Sequence, residues 1–300
     1  MRKTLYPLSV LLAGVLWGFS GLFVRFLTAD GLTTFEVVFL RLTVTALVAV
    51  IFFLIFKRDA FKIKLKNLWC VIGCGCMGLL GVSLCYFTTI NMSSLSTACI
   101  LMYTAPIFVT LASCLFFKER LSLKKIICLI VTFMGCVLCS YEQGGTALSF
   151  PVLLVGLGSG VCYASYSIFS RFALNRGVNT PTILLYTFIF AAAGSFAFLP
   201  YEHFFAAAAG GNINVLATLG IAVLSTALAY LFYTLGLKGV ENGKAAILSC
   251  IEIVSAAVVG VIAFKEYPDL LQFSGIIMVI VAVVAMNLNF KKKDKKNDKA

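Results

Sequence analysis

Two charged residues, Arg41 and Glu252, stand inside apolar stretches of the sequence that are long enough to cross a membrane. At 1.5 Å per helical residue they lie about 9 Å and about 11 Å from the nearer ends of those stretches. Charged side chains at such depth are costly and persist where they face protein or water. Because a guanidinium pairs with a carboxylate and a carboxylate with an ammonium group, a cavity between the two would suit a zwitterionic solute.

Both residues have other roles open to them. Arg41 can extend its side chain to the membrane surface or cap helix ends. Glu252 can accept hydrogen bonds from neighbouring helices, or it can carry protons, because a desolvated carboxyl group changes its charge near neutral pH. Protons are therefore a candidate coupling ion, and the sequence does not choose between these roles.

Aromatic side chains form a second set of candidates, because they lie inside the apolar stretches and not at their ends. Such rings offer large faces, and tyrosine and tryptophan add one polar atom, which is the chemistry of a binding-pocket wall. Each ring alone is more simply a packing residue, but together they favour a lined cavity. The set comprises Trp17, Tyr86, Tyr103, Tyr163, Tyr166, Tyr230 and Tyr233.

Three further residues are candidates for a hinge or a gate. Pro106 is the one proline of six that stands well inside an apolar stretch, where it removes a helix hydrogen bond and bends the helix. A hinge and a kink of packing value are both consistent with it. Glu119 and Glu266 each end a helix, where the dipole disfavours an acid, so we expect basic partners for them in structural or gating ion pairs.

The elements that position these residues must be membrane helices. The chain has 300 residues, of which 61% are hydrophobic and 12% charged, and its mean hydropathy is +1.02. This is more apolar side chain than one soluble core buries. The composition predicts an all-α integral membrane protein, and it excludes a soluble globular protein, a disordered chain and, despite a formal charge of +12, a nucleic-acid binder.

A helix needs about 20 apolar residues to cross a bilayer. Cutting the sequence where charges and Pro, Gly or Asn clusters interrupt such runs predicts ten transmembrane helices, here numbered spans 1 to 10. The predicted spans are 5–27, 35–56, 68–90, 94–117, 126–141, 151–172, 181–199, 215–237, 245–264 and 270–288.

The lysines and arginines test this division, because short cytoplasmic loops hold the positive charge of a membrane protein. With the N-terminus inside, 21 of the 24 basic residues fall on the cytoplasmic side. The three exceptions are Arg25, Arg41 and Lys265. We therefore expect both termini in the cytoplasm, with residues 291–300 as a basic cytoplasmic tail next to anionic lipid.

The second half of the sequence repeats the first at an offset of 146 to 147 residues. The predicted units are 1–142, with spans 1 to 5, and 147–290, with spans 6 to 10. Because five spans is an odd number, the second unit enters the membrane from the opposite side. Inverted repeats of this kind exchange shapes to open one face while closing the other, which predicts alternating access.

Two motifs recur in each unit. Residues 14–18, followed by Arg25, match residues 160–164, followed by Arg171. In addition, a fourth helix with a mid-span proline and a terminal glutamate has a second copy in span 9. With ten spans and this charge pattern, the chain resembles the drug/metabolite transporter superfamily, in its EamA-type branch, over residues 5 to 290.

The resemblance implies a secondary transporter in a prokaryotic plasma membrane that moves a small organic solute, such as an amino acid or related metabolite, often outward. It also implies a central cavity lined by spans 1 to 4 and 6 to 9. An exporter of drugs or toxic compounds is the alternative within the same fold, and a channel or a membrane-embedded enzyme is a more distant one. The sequence leaves the oligomeric state open.

No enzyme, cofactor or metal site is expected, because the single histidine, His203, lies in a loop, no aspartate lies in a span and no phosphate-binding glycine loop occurs. The family often has Glu-Pro in span 9, whereas here Ile253 follows Glu252. We therefore expect span 9 to be straighter than span 4.

Overall fold

The computed structural model describes residues 2–140, 149–211 and 213–288, and within these ranges the chain forms helices and connecting turns. Nine helices have the length and composition to cross a membrane, and Leu123–Cys139, one residue short of the 18 that the others reach, supplies the remaining span. The ten spans are Leu5–Ala29, Thr34–Phe56, Leu65–Met92, Ser96–Phe117, Leu123–Cys139, Phe150–Asn175, Thr180–Phe198, Val215–Gly236, Asn242–Phe264 and Leu270–Asn287.

These bounds confirm the ten-helix prediction, and the described helix ends lie within a few residues of the predicted ones. The predicted end of span 5 at residue 141, the basic tail 291–300 and the outer limits of both repeat units lie outside the described residues. Short helices occupy two of the connections, Arg58–Phe61 between spans 2 and 3 and Tyr201–Ala209 between spans 7 and 8.

The spans are irregular at matching places in the two repeats. Wide π-helical turns occupy Gly73–Gly81 in span 3 and Gly220–Leu228 in span 8, an offset of 147 residues. Spans 4 and 9 both end at a lysine with left-handed backbone, Lys118 with φ 55° and Lys265 with φ 59°. Since π-helical turns and left-handed lysines are uncommon, their recurrence supports one fold used twice.

Spans 4 and 9 are also interrupted at matching positions. Helix Leu95–Met102 stops before helix Ala105–Phe117, and helix Asn242–Ser249 stops at Cys250, before helix Ile251–Val259. Span 9 is therefore not a continuous helix, while the expectation that it is straighter than span 4 stays a prediction. A proline is not needed for the break, because the chain turns at Cys250 although Ile253 stands where the family has proline.

Span 1 packs against spans 8 and 9, span 6 against spans 3 and 4, and span 2 against span 7, whereas spans 5 and 10 pack on each other at the side. The core therefore lies where spans 1, 6, 8 and 9 meet. Span 1 begins and span 10 ends on the same side of the bundle, which we call the chain-end face. We call the other side the opposite face.

Candidate functional site

Five of the predicted aromatic residues form one cluster at the centre of the bundle. Trp17 of span 1 lies 5.2 Å, between ring centroids, from both Tyr230 and Tyr233 of span 8, and 6.0 Å from Tyr163 of span 6. Tyr166 lies 4.7 Å from Tyr230 in an edge-to-face arrangement. Spans 1, 6 and 8 thus meet through these rings at the centre of the bundle.

The deepest hydroxyl groups of this cluster are already satisfied. Tyr166 and Thr234 share a hydrogen bond of 2.6 Å, and Tyr233 and Ser167 share one of 2.7 Å. Buried polar groups need such partners, and a paired hydroxyl is held in one orientation. These two tyrosines therefore build a fixed wall between spans 6 and 8, while their hydroxyls are not free for a ligand.

A small cavity lies beside the cluster, at the interruptions of spans 4 and 9. Its volume of about 10 Å³ is room for one water molecule. Helix Ile251–Val259 places Glu252 in its first turn, where the helix dipole favours an acid. Both broken helices thus present their interrupted backbone to the same space. The lining consists of Met102, Tyr103, Ala105, Pro106, Tyr163, Ala246, Ser249, Cys250 and Glu252.

Arg41 and Glu252 are near enough to interact electrostatically, yet they form no salt bridge. The Nε atom of Arg41 is buried and has no hydrogen-bond partner among the described residues. The carboxylate of Glu252 likewise makes no hydrogen bond within the described part of the chain. Tyr230 interacts with both charges. The site therefore holds an unpaired cationic donor and an unpaired anionic acceptor that are near enough to interact.

The two remaining tyrosines of the predicted set are Tyr86 of span 3 and Tyr103 of span 4, and both lie near Glu252 of span 9. Tyr103 and Tyr86 are each close enough to Glu252 to interact with its charge. The hydroxyl of Tyr86 lies 3.1 Å from the sulfur of Cys99. The candidate site is thus built from residues of spans 1, 2, 3, 4, 6, 8 and 9.

Pro106 has a different role from the predicted kink. It stands in the first turn of Ala105–Phe117, where a missing backbone N–H leaves no helix hydrogen bond unmade. The helix breaks before it, at Tyr103 and Thr104, and the hydroxyl of Thr104 donates to the carbonyl of Leu101 at 2.6 Å. Pro106 therefore starts the second half of span 4 and does not bend a continuous helix.

Glu119 belongs to a buried ionic network at the chain-end face. Lys125 donates to Glu119 at 3.1 Å and to Glu241 at 2.8 Å, and its side chain is only 2% exposed. Glu119 also accepts the backbone N–H groups of Asn242 and Gly243, the first turn of span 9. This network joins spans 4 and 5 of the first repeat to span 9 of the second.

Arg171 of span 6 extends the same network. Its Nε donates to the side-chain oxygen of Asn242 at 2.7 Å, and it also donates to the carbonyl of Val240. The sequence counted Lys125 and Arg171 among the cytoplasmic charges and did not predict that they take part in a buried network. Asn242, fully buried, was missed altogether. The only sequence signal for it is its place beside Gly243 at the start of a span, which is too common to single it out.

Glu266 has the equivalent place at the opposite face, where its ion pair is more exposed than that of Glu119. Arg25 donates to Glu266 at 2.7 Å, with side chains 48% and 55% exposed, and its guanidinium lies 4.5 Å above the ring of Phe264. The basic residue of each first motif thus lies near the glutamate of the other repeat's second motif. Arg25 pairs with Glu266, and Arg171 interacts with Glu119.

Glu36, in the first turn of span 2, is completely buried. It accepts the backbone N–H and the hydroxyl of Thr33, and its other oxygen lies 2.8 Å from Nδ1 of His203 in the loop helix Tyr201–Ala209. The pattern Thr-x-x-Glu at 33–36 is a capping box and is the signal that would have predicted this arrangement.

Comparison with known proteins gives two matches to one family. The sequence profile of the EamA-like transporter family matches residues 4–141 and again residues 150–288. The two matches cover the two sets of five spans. A solved crystal structure superposes with a TM-score of 0.76, covering 94% of this chain and 96% of the other at 19% identity, which shows the shared fold.

Curated relatives carry transporter names. The chain is 30% identical to a protein of Archaeoglobus fulgidus named an uncharacterized transporter, over 92% of this chain and 94% of that one. It is 25% identical to the uncharacterized inner membrane transporter YicL of Salmonella typhimurium, over 95% and 96%. It is 27% identical to the pseudopaline exporter CntI of Pseudomonas aeruginosa, over 84% and 85%.

Proposed function

This chain belongs to the EamA-like transporter family, and from that premise we propose that it moves a small zwitterionic solute, an amino acid or a related metabolite, across the membrane by alternating access. Membership makes it an integral membrane protein of the drug/metabolite transporter superfamily that acts on small solutes within a lipid bilayer. The solute class, the mechanism and the site residues are the content of the proposal.

The observation that carries it is the unpaired state of Arg41 and Glu252. A buried guanidinium Nε and a partly buried carboxylate without hydrogen-bond partners are costly, unless a ligand completes them during the working cycle. A carboxylate of the solute would accept from Arg41, and its ammonium group would donate to Glu252. The rings of Trp17, Tyr163 and Tyr230 would enclose its apolar part.

Entry of a solute needs movement, because the cavity in its described form admits only one water. The interruptions of spans 4 and 9 divide each helix into halves that can turn separately, with Glu252 at the start of one half. We assign the hinges to these breaks, with Pro106 fixing the start of the moving half of span 4.

The two ionic sets are assigned as gates. The network of Glu119, Lys125 and Arg171 would open at the chain-end face, and the pair of Arg25 and Glu266 would open at the opposite face. Each set joins the two repeats, so separating the repeats at one face breaks one set and leaves the other intact. Both sets are formed in the described structure, and within the proposal this arrangement would be a closed form between the two open ones.

The basic residues supply the orientation within the proposal. With the chain-end face in the cytoplasm, 21 of 24 lysines and arginines lie inside. The name of the relative from Pseudomonas aeruginosa, an exporter, supports outward movement. The two repeat units within this arrangement are 1–142 and 147–290.

Ligand-dependent stability of the purified protein tests the solute class. The probes are the common amino acids, each compared with its amide, which lacks the carboxylate, and its N-acetyl form, which lacks the ammonium group. A ligand at 100 times its Kd stabilises the folded state by about 2.7 kcal/mol, which a thermal melt detects. We expect at least one amino acid to stabilise the protein, and its amide and N-acetyl form to do so weakly.

Two variants assign the roles. Arg41→Gln should remove the preference for the acid over the amide, and Glu252→Gln should remove the preference for the free amine over the N-acetyl form. Glu202→Gln, an exposed glutamate of the loop helix, is the matched control and should respond as the wild type does. Normal binding by Glu252→Gln with loss of pH-dependent accumulation would assign the residue to proton transfer instead. Normal behaviour of both variants in every assay would remove them from the site.

A further inference from the structure

A groove between spans 1 and 9 is separate from the candidate solute site. Its volume is about 490 Å³, and it runs along the half of these spans nearer the opposite face. Span 1 contributes Val15, Phe19 and Leu22, which recur on one side of a helix at intervals of four and three residues. Span 9 contributes Ile251, Val254, Ser255, Val258, Val259, Ile262 and Ala263.

The wall of this groove is apolar except for one side chain. Its one polar side chain is Ser255, whose hydroxyl donates to the carbonyl of Val15 at 2.9 Å and is therefore satisfied. At its base the two spans touch, since a Cβ on Gly18 would meet the Cβ of Ser255 at 2.5 Å. The groove therefore opens away from the core, toward the surroundings of the two spans, and its walls suit a hydrocarbon.

Charged groups stand at the end of the groove near the opposite face. Ile262 and Ala263 are followed by Phe264, whose ring carries the guanidinium of Arg25. Glu266, the partner of Arg25, approaches Gly260 of the same span, where a Cβ would lie 3.6 Å from its Oε2. This ion pair is about half exposed. It thus offers one cation and one anion, side by side, where the apolar wall ends.

We propose that this groove is a binding site for one phospholipid whose headgroup carries both a phosphate and a primary ammonium group, as in phosphatidylethanolamine. One acyl chain lies between Val15, Leu22 and Val258, the phosphate accepts from Arg25, and the ammonium group donates to Glu266. The wall from Val15 to Leu22 is about 10 Å long at 1.5 Å per residue, which is part of one acyl chain within one leaflet. The site does not depend on the proposed solute.

Charge complementarity favours this headgroup over others. An anionic headgroup such as phosphatidylglycerol would satisfy Arg25 and leave its negative charge beside Glu266. The quaternary ammonium of phosphatidylcholine carries no N–H to donate to a carboxylate. Of these three headgroups, only the one with a primary ammonium group offers a hydrogen-bond partner to both Arg25 and Glu266. Because ion pairs at the membrane surface are partly solvated, we expect a preference of about fivefold.

Native mass spectrometry of the full-length protein tests the site. The protein is stripped of lipid in detergent and titrated separately with phosphatidylethanolamine, phosphatidylglycerol and phosphatidylcholine of the same acyl chains. Val258→Trp fills the groove and should lower retention of phosphatidylethanolamine at least fivefold. Val281→Trp on span 10 is the matched control, since Val258 is 52% and Val281 56% exposed, and it should retain lipid as the wild type does.

Glu266→Gln separates the headgroup from the acyl chain. We expect this variant to retain one lipid but to lose the preference for phosphatidylethanolamine over phosphatidylglycerol. Equal retention of all three lipids by the wild type, or unchanged retention by Val258→Trp, would overturn the proposal. A shift from dimer to monomer in Val258→Trp with unchanged lipid retention would also overturn it, because a second copy of the chain would then occupy the groove.

Discussion

At the scale of single residues, Lys125 is the charged side chain whose burial most needs compensation. Moving an ammonium group out of water costs several kcal/mol, and the side chain of Lys125 is 2% exposed. Two carboxylates offset that cost, Glu119 at 3.1 Å and Glu241 at 2.8 Å. Glu119 in turn accepts two backbone N–H groups at the start of span 9, so the lysine indirectly fixes how span 9 begins.

Lys125→Met should therefore destabilise the protein strongly. The substitution keeps the apolar stem but leaves the carboxylate of Glu119, 8% exposed, without its cation, which costs about 3 kcal/mol of the free energy of unfolding. Unfolding by denaturant in bicelles measures the change. Lys62→Met is the control, because its pair with Asp59 is 82% exposed on both sides, and it should leave the denaturation midpoint in place. Equal midpoints for the two variants would contradict the structural role of Lys125.

At the scale of elements, the breaks of spans 4 and 9 are the features that give the site its shape. The break in span 4 packs on span 6 at Gly160, where a Cβ would lie 2.5 Å from the hydroxyl of Thr104 and 3.3 Å from the backbone nitrogen of Ala105. The close approach of Gly160 to the interrupted backbone requires a residue without a side chain. Span 9 is interrupted without a proline, so proline alone does not account for an interruption.

Gly160→Ala should disturb that contact. An added methyl group at 2.5 Å from Thr104 must displace the start of the second half of span 4, at a cost of about 1 to 3 kcal/mol. Gly158→Ala, two residues away on the same helix, is the matched control, because its Cβ would lie 3.6 Å from the sulfur of Cys85 in ordinary contact. The control should be neutral or slightly stabilising, since alanine is the better helix former. Thermal unfolding of both variants measures the difference, and a larger loss in Gly158→Ala would refute the account.

At the scale of the whole molecule, the sequence predicted the parts that depend on hydropathy and charge. Ten spans and the repeat offset follow from apolar runs and from motifs that keep register, and the structure repeats even its π-helical turns at 147 residues. The burial of Lys125 could not be predicted, because it lies at a span end, where hydropathy gives no information, and its partner Glu241 is distant in sequence. The break at Cys250 could not be predicted, because Ile253 stands where the family has proline.

The orientation of the whole molecule is a prediction that labelling can check. Lys62→Cys and Arg176→Cys place single reactive groups on exposed positions of the chain-end face, and Glu202→Cys places one on the opposite face. A membrane-impermeant maleimide added to intact cells should label Glu202→Cys above the background of the unmodified chain and should leave the other two unlabelled. Labelling of either chain-end variant from outside would reverse the orientation that the basic residues indicate.

The central claim is that a zwitterionic solute forms hydrogen bonds with Arg41 and Glu252, and that movement of the two repeats opens the site to one face at a time. Counterflow in proteoliposomes tests it most directly, with labelled amino acid outside and unlabelled amino acid inside, for the wild type, Arg41→Gln, Glu252→Gln and the control Glu202→Gln. The account predicts saturable exchange by the wild type and by the control, and at least a tenfold loss in both site variants, since each removes one of two charge-assisted hydrogen bonds to the solute. Exchange at the wild-type rate in both site variants would contradict it, as would a wild-type flux that rises without saturation.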